Sequence, residues 1–158
     1  MVSKQQAPKR RKKILALSSS GGHWVQLSRL IPAFEGHQVI YATVNRHYIT
    51  EVEGARFYKI MDVTRWNKAK WIFAAMQLSW ILLRERPDVV VSTGALPGFI
   101  GLLLAKAMGK RTVWLDSIAN VDELSMSGKR IGAFADLWLT QWPHLASEQG
   151  PEYAGQVL

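Results

Sequence analysis

The chain has 158 residues, of which 48% are hydrophobic and 20% charged, a length and composition typical of one globular domain with its own core. It contains no cysteine, which excludes disulfides, cysteine nucleophiles and thiolate metal sites and fits a reducing compartment. Its net charge of +8 raises the question of an anionic partner, and the answer depends on where the charge lies.

Most of the excess positive charge is at the N-terminus. Six of the 20 cations lie within residues 4–13 with no acid among them, so 14 cations face 12 acids in the rest of the chain. Residues 1–12 are therefore predicted to form a basic arm, which is suited to anionic lipid or nucleic acid or is simply a solvated tail. The apolar run that follows, Ile14 to Leu17, is too short for a secretory signal.

Strand and helix signals alternate along residues 13–142. The predicted strands are 14–18, 38–43, 55–61, 89–92, 112–115 and 136–140, and the predicted helices are 23–34, 66–84 and 97–108. Residues 45–53 are polar and ambiguous, and 117–134 form a loop or short helix. This alternation predicts an α/β domain, with a parallel sheet covered by helices on both faces. Residues 143–158 form a polar tail available for partner contact.

The helix predicted at 66–84, with Asp62 or Thr64 as its cap and Pro87 beyond its end, is apolar nearly all round. One arc, predicted to pack on the sheet, holds Ala69, Ile72, Phe73, Met76, Trp80 and Leu83. The opposite side is apolar through Trp71, Ala75, Leu78 and Leu82 and needs a second neighbour. That neighbour is another element of the domain, a partner protein or a bilayer surface.

Aromatic and cationic side chains mix at the start of this helix, as they do in interfacial helices. The residues predicted to contact a membrane or partner are Trp66, Lys68, Lys70, Trp71 and Leu78. No apolar run reaches the roughly 18–20 residues of a membrane span, and Gln77 and Ser79 interrupt the longest candidate. The protein is therefore expected to be soluble or peripheral.

The loop at 18–23 is the first of three small, polar loops that follow strands. Ser20, Gly21 and Gly22 lead into a helix at His23, so the backbone can approach a ligand closely and the helix-start amides can bind an anion such as a diphosphate. The loop lacks the Lys-Ser/Thr of a P-loop and the glycine spacing of a dinucleotide fingerprint. The alternative is a plain strand-to-helix turn.

His23 stands at that helix start, where the positive end of the helix dipole favours the neutral imidazole. A neutral ring there can hydrogen-bond a sugar hydroxyl or a phosphate. Capping or packing is the alternative role.

The second and third loops offer further hydroxyls, amides and a carboxylate. Ser92, Thr93 and Gly94 precede a helix, and Asp116, Ser117 and Asn120 follow the fifth strand. Asp116 is a candidate base or hydroxyl ligand. Because ligands of open parallel sheets bind outside the carboxyl ends of the strands, all three loops are predicted to share one site. No metal-ligand spacing and no cofactor motif is found, so neither group is expected.

Four motifs together resemble GT-B glycosyltransferases related to MurG. They are 17–23 (LSSSGGH), 88–94 (DVVVSTG), 114–120 (WLDSIAN) and 134–136 (FAD), and the match runs from Lys13 to Trp142. The chain is most similar to half-length PssD-type polysaccharide proteins, which are related to the membrane-anchoring subunit of the eukaryotic chitobiosyl-diphosphodolichol synthase. The resemblance implies a Rossmann-like fold and a single N-terminal-type half of a GT-B enzyme.

The resemblance also implies a role. The chain would be the acceptor-binding, membrane-recruiting subunit of a two-chain enzyme, inactive without a PssE-type donor-binding partner. The pair would move a sugar such as GlcNAc or glucuronic acid from a UDP-sugar to an undecaprenyl-diphosphate-linked acceptor in exopolysaccharide or capsule assembly. The expected location is the cytoplasmic face of the inner membrane, with peripheral attachment because the eukaryotic subunit's N-terminal membrane helix has no counterpart here.

Within this resemblance, Gly21, Gly22 and Gly94 would approach a diphosphate, and Ser20, Ser92, Thr93, Ser117 and Asn120 would contact substrate. His23 would bind or polarise the acceptor, and Asp116 would be the base. A non-catalytic membrane scaffold for a complete partner enzyme is the alternative. A nucleic-acid-binding module is disfavoured because the charge beyond the arm is nearly balanced.

Overall fold

The computed structural model describes residues 10–157, so most of the predicted basic arm lies outside the described residues. The elements are β1 (Lys13–Ser18), α1 (Gly22–Arg29), β2 (Gln38–Thr43), β3 (Arg56–Lys59), α2 (Lys68–Glu85), β4 (Val89–Ser92), α3 (Ala95–Ala107), β5 (Arg111–Leu115), α4 (Met126–Ile131), β6 (Leu137–Thr140) and β7 (Glu152–Tyr153). Three 3-10 turns occupy Ile31–Phe34, Arg46–Glu51 and Pro143–Leu145.

The strands form one sheet in the order β3-β2-β1-β4-β5-β6-β7, and every neighbouring pair is parallel. The predicted Rossmann-like α/β fold is confirmed. The strand order reverses at β1, where Ile14 lies opposite Val39 of β2 on one side and Val89 of β4 on the other. This reversal creates a crevice at the carboxyl ends of β1 and β4.

The sheet separates two apolar cores. Leu15 and Leu17 of β1 point to the face covered by α2, α3 and α4, whereas Ile14 and Ala16 point to the face covered by α1. The alternation follows from the two-residue period of a strand. Since both faces are covered, the strands are apolar on both sides, as the unbroken Val89–Val91 run predicts.

Two boundaries differ from the sequence-based expectation. The first helix ends at Arg29 and continues as a 3-10 turn, because Pro32 has no amide hydrogen to donate. The cap of α2 is Asn67 rather than Asp62 or Thr64, and its side-chain oxygen accepts the Lys70 N–H at 3.2 Å.

The C-terminal segment also differs from the expected polar tail. Its strand β7 pairs with β6, with Leu139 opposite Glu152. Residues 152–153 therefore extend the sheet of the domain.

The packing of α2 reverses the predicted one. Ala74, Leu78, Ile81 and Leu82 are buried, whereas Ile72, Phe73, Met76, Trp80 and Leu83 are 52–64% exposed. The prediction that Leu78 contacts a membrane or partner is therefore wrong, because this side chain is in the core. We call the exposed set (Ile72, Phe73, Met76, Trp80 and Leu83) the outer face of α2.

A buried polar contact at the end of α2 favours the observed rotation of the helix. Glu85 is buried and accepts hydrogen bonds from Arg56 and from the Tyr58 hydroxyl, and it also forms an ion pair with Lys13 at 3.0 Å. Burial alone raises the pKa of Glu85, but the hydrogen bonds from Tyr58, Lys13 and Arg56 outweigh it and hold the pKa below its usual value. Leu78, Ile81 and Leu82 share the helix face of Glu85 and are buried with it.

Among residues 10–157, no helix has both the length and the apolar character needed to cross a bilayer.

Candidate functional site

The three predicted loops lie at one edge of the sheet, as expected. They follow β1, β4 and β5, whose carboxyl ends are adjacent because β4 pairs with both other strands. The crevice at the strand-order reversal lies between the first and second loops.

The first loop presents exposed backbone at the start of α1. Ser20, Gly21 and Gly22 are exposed, and Gly21 has a φ of 65° with no atom within 4 Å of an added Cβ. The first i to i−4 hydrogen bond of the helix runs from Val25 N–H to Gly21 O (3.1 Å), so the amides of Gly22 and His23 precede it. This geometry suits an anion that approaches the backbone closely.

A tyrosine that the sequence analysis missed completes this loop. The Tyr48 hydroxyl accepts the Gly21 N–H at 3.0 Å, and its ring stacks on Trp24 with centroids 4.6 Å apart. Trp24 is held in turn by Glu51, which accepts its indole N–H at 2.8 Å. The 3-10 turn Arg46–Glu51 therefore brings Tyr48 to the glycine turn, which the polar, unpatterned sequence at 45–53 does not predict.

His23 and Thr93 join the first loop to the second. His23 Nδ1 lies 2.8 Å from the Thr93 carbonyl oxygen, and the Thr93 hydroxyl donates to the His23 carbonyl at 2.6 Å. Since a carbonyl oxygen only accepts, Nδ1 carries a hydrogen, and when the imidazole is neutral Nε2 is the nitrogen without one. The Nε2 lone pair is then left for an outside donor, such as a substrate hydroxyl.

The backbone of the second loop is shaped to receive the His23 ring. Gly94 has φ 126° and ψ −169°, a region open essentially to glycine, and Ala95 follows at φ 64°. A Cβ added at Gly94 would lie 2.5 Å from His23 Nδ1. The absence of a side chain at Gly94 therefore makes room for the imidazole. The strained residue is Ala95, whose left-handed conformation begins the turn into α3.

Asp116 organises the third loop from a buried position. One carboxylate oxygen accepts from the Trp114 indole and the Ser125 hydroxyl, and the other accepts from Asn120 and the Ser125 backbone N–H (2.8 Å). With four donors and 1% exposure, the carboxylate is fully engaged by protein. The geometry thus favours a loop-holding role for Asp116, while its predicted role as a base stays a prediction.

Two buried glutamines, also missed from the sequence, fasten α1 to the third loop. Gln26 donates to the Ser117 hydroxyl at 3.1 Å and accepts from Ile118 N–H at 3.1 Å and from Gln141 at 2.5 Å. Gln141 also donates to the Asp116 carbonyl. The sequence offers one indication of this contact: Gln26 is a polar residue between Trp24 and Leu27, two apolar residues on the predicted buried face of the helix.

Several predicted contact residues serve the loops themselves. The side chains of Ser92, Thr93 and Ser117 are buried, and their hydroxyls are hydrogen-bonded within the protein. The Ser92 hydroxyl, for example, accepts the Gly94 N–H. Ser20, Gly21, Gly22 and His23 are the predicted site residues that solvent reaches from the first loop. Within the described range, no group of three or more His, Asp or Glu side chains is placed to hold a metal ion.

A protein-family model matches most of the chain. A family model described as "Oligosaccharide biosynthesis protein Alg14 like" matches residues 43–157. A similar curated protein is the UDP-N-acetylglucosamine transferase subunit alg14 of Schizosaccharomyces pombe, 30% identical over 92% of this chain and 83% of that protein. The Homo sapiens subunit ALG14 is 27% identical over 96% of this chain and 85% of its own length.

Solved structures share the fold. MurG of Acinetobacter baumannii superposes with a TM-score of 0.74 at 14% identity, over 90% of this chain and 45% of MurG. UDP-N-acetylglucosamine 2-epimerase from Rickettsia bellii gives 0.68 at 15% identity, over 93% of this chain and 45% of the epimerase. The chain therefore spans less than half the length of these two proteins, and the likeness is one of fold.

Proposed function

Because the chain belongs to the Alg14-like family of oligosaccharide biosynthesis proteins, we propose that it is the acceptor-binding, membrane-recruiting subunit of a two-chain UDP-N-acetylglucosamine transferase. The partner is a PssE-type donor-binding chain. The acceptor is an undecaprenyl-diphosphate-linked sugar in exopolysaccharide or capsule assembly, at the cytoplasmic face of the inner membrane. The sugar donor is inferred from the names of the curated relatives.

The observation that carries the proposal is the His23–Thr93 contact at the strand-order reversal. It fixes the imidazole with Nδ1–H on the Thr93 carbonyl and leaves Nε2 as a hydrogen-bond acceptor beside the exposed glycine turn. An acceptor hydroxyl bound there donates its hydrogen to Nε2. This hydrogen bond raises the nucleophilicity of the hydroxyl oxygen toward the anomeric carbon of the donor sugar. The amides of Gly22 and His23 bind the diphosphate of the acceptor.

The partner supplies the remaining half of the site. Negative charge develops on the departing UDP as the glycosidic bond to it breaks, and donors placed at that charge lower the barrier. We assign those donors to the partner chain, since the three loops of this chain are assigned to the acceptor.

An active-site role for His23 is tested by alanine substitution in the reconstituted pair. We expect His23→Ala to lower the transfer rate by roughly 10²–10⁴-fold, the usual contribution of a positioned acid–base group. His37→Ala is the matched control, because His37 lies at the opposite edge of the sheet, where it accepts the Lys12 N–H. If His23→Ala leaves transfer at the rate of the control while the pair still assembles, this chain is the non-catalytic scaffold instead.

Membrane recruitment is assigned to the outer face of α2. Its five large apolar side chains are more than half exposed, and residues 68–84 contain Lys68, Lys70 and Arg84 but no acid. Apolar side chains flanked by cations match an anionic bilayer surface, and each cation near it contributes about 1 kcal/mol. Trp66, which is 81% exposed, lies just before the helix and extends this surface.

Vesicle sedimentation tests this assignment. With vesicles containing phosphatidylglycerol, Met76→Glu should lower the membrane partition coefficient about tenfold or more, because burying a methionine side chain is worth roughly 1.5–3 kcal/mol. Val121→Glu is the control, since Val121 is also exposed (43%) but lies outside α2. Equal binding by both variants would remove the outer face of α2 from the account.

A further inference from the structure

A cavity of about 300 Å³ is lined by residues of α2, α3 and α4 and by Arg65, which precedes α2. Its apolar walls are formed by Trp71, Leu96, Phe99 and Met126. The volume is at the lower end of ligand pockets, which run from roughly 300 to 1,000 Å³, so it suits part of a ligand rather than a whole one.

The cavity also carries two cations. Arg65 and Arg130 line it and are exposed to solvent. The Arg65 guanidinium lies over the Trp66 ring, 4.5 Å from its centroid. No acidic residue lines it, and within residues 10–157 neither arginine forms an ion pair. Guanidinium groups of this kind bind phosphate oxygens with paired, charge-assisted hydrogen bonds.

The position of the cavity links it to two of the site loops. Leu96 lies two residues after Gly94, the residue that makes room for the His23 ring. Met126 follows Ser125, whose hydroxyl and amide are bonded to Asp116. Trp71, on the third side, belongs to α2, the helix proposed to contact the membrane.

We propose that this cavity binds the part of the hydrocarbon chain nearest the diphosphate of the lipid-diphosphate acceptor. Arg65 and Arg130 contact the phosphate attached to that chain, while the amides of Gly22 and His23 contact the phosphate nearer the head sugar. This inference rests on the proposed function, which supplies the acceptor, and adds where its lipid part binds. The apolar walls accept a chain without hydrogen-bonding groups, and the arginines match an anion attached to it. The head sugar then faces the loop that holds His23.

Titration of the full chain with farnesyl diphosphate tests the pocket directly. We expect this probe to bind at least tenfold more tightly than either inorganic diphosphate or farnesol, because it alone uses both the walls and the arginines. Ser127→Phe, which fills the cavity from α4, should weaken binding at least tenfold, and Ser127→Ala should not. Arg65→Gln and Arg130→Gln should each weaken it by about tenfold, the scale of one charge-assisted hydrogen bond. Arg111→Gln, at the other edge of the sheet, should not change it.

A second measurement keeps the test independent of how Ser127→Phe folds. A benzophenone analogue of farnesyl diphosphate should cross-link the wild-type chain within residues 65–71, 96–99 or 126–130. Cross-links confined to other peptides, unchanged binding by Ser127→Phe, or equal displacement by dihexanoyl phosphatidylglycerol would each overturn the pocket assignment.

The same samples separate this inference from the proposed function. If the wild-type pair transfers sugar and Ser127→Phe binds the probe and supports transfer as well as wild type, only the pocket assignment falls. If the wild-type pair transfers no sugar, the proposed function falls, and the farnesyl diphosphate titration still decides whether the cavity takes a prenyl diphosphate.

Discussion

Replacing Gly94 by alanine tests the close fit between the second loop and His23. An alanine at φ 126° and ψ −169° is strained by roughly 1–3 kcal/mol. Its Cβ would also lie 2.5 Å from His23 Nδ1, so the ring must move and lose its 2.8 Å bond to the Thr93 carbonyl, worth about 1 kcal/mol. We expect Gly94→Ala to lower the free energy of unfolding by about 2–4 kcal/mol in total.

Gly109→Ala is the matched control. Gly109 also has a positive φ, of 71°, but an added Cβ there meets nothing within 4 Å. This variant should therefore lose only the cost of the left-handed conformation, roughly 1–2 kcal/mol, and should remain about 1 kcal/mol or more above Gly94→Ala in stability, since it keeps the His23–Thr93 hydrogen bond. Urea denaturation gives both free energies, and ¹⁵N NMR of the imidazole reports whether the proton of His23 stays on Nδ1.

Two results together would refute the reasoning. One is a Gly94→Ala stability within about 0.5 kcal/mol of Gly109→Ala, the scatter of ordinary surface substitutions. The other is an unchanged imidazole spectrum of His23. With the partner present, Gly94→Ala should also lose most of the transfer activity that Gly109→Ala keeps.

Three further predictions concern other contacts. Asp116→Asn should lower the free energy of unfolding, measured by urea denaturation, by about 2–4 kcal/mol, because each buried donor left without its acceptor costs roughly 1–3 kcal/mol. A variant that keeps full stability but loses sugar transfer would instead favour Asp116 as the catalytic base. The pKa of Glu85 is lowered in the folded chain, so its contribution to folding stability is fully present above about pH 4.3, the usual pKa of a glutamate, and is lost as the pH falls through the lowered pKa. Acid titration followed by circular dichroism should show a shallower loss of folded structure for Glu85→Gln than for the wild type. Tyr48→Phe removes the acceptor of the Gly21 N–H but keeps the stacking on Trp24, so farnesyl diphosphate affinity should change less than threefold; a tenfold loss would make the Tyr48 hydroxyl a ligand.

The sequence predicts the fold well where one pattern dominates. The bounds of β2 and β4 agree with the prediction, because each is an apolar run framed by polar residues or turn signals. That the three loops share one edge follows from the parallel sheet alone. In contrast, β7 has only two residues, both exposed, and no pattern that marks it as a strand.

The rest depends on contacts between distant residues. Both sides of α2 are apolar, so hydrophobicity alone does not decide which one is buried; the contact of Glu85 with Arg56 and Tyr58 favours the observed side. Likewise Gln26 and Gln141 are 115 positions apart and meet only in the folded chain. Asp116 looks like a candidate base in sequence because its four donors come from residues that a linear pattern does not bring together.

The central claim is that this chain supplies the acceptor half of a shared sugar-transfer site. The most direct measurement follows radiolabelled sugar from UDP-N-acetylglucosamine into an undecaprenyl-diphosphate-linked acceptor in vesicles, with this chain alone, a PssE-type partner alone, and both together. We predict transfer only when both chains are present, and its loss with His23→Ala. Transfer at the full rate by either chain alone would contradict the account.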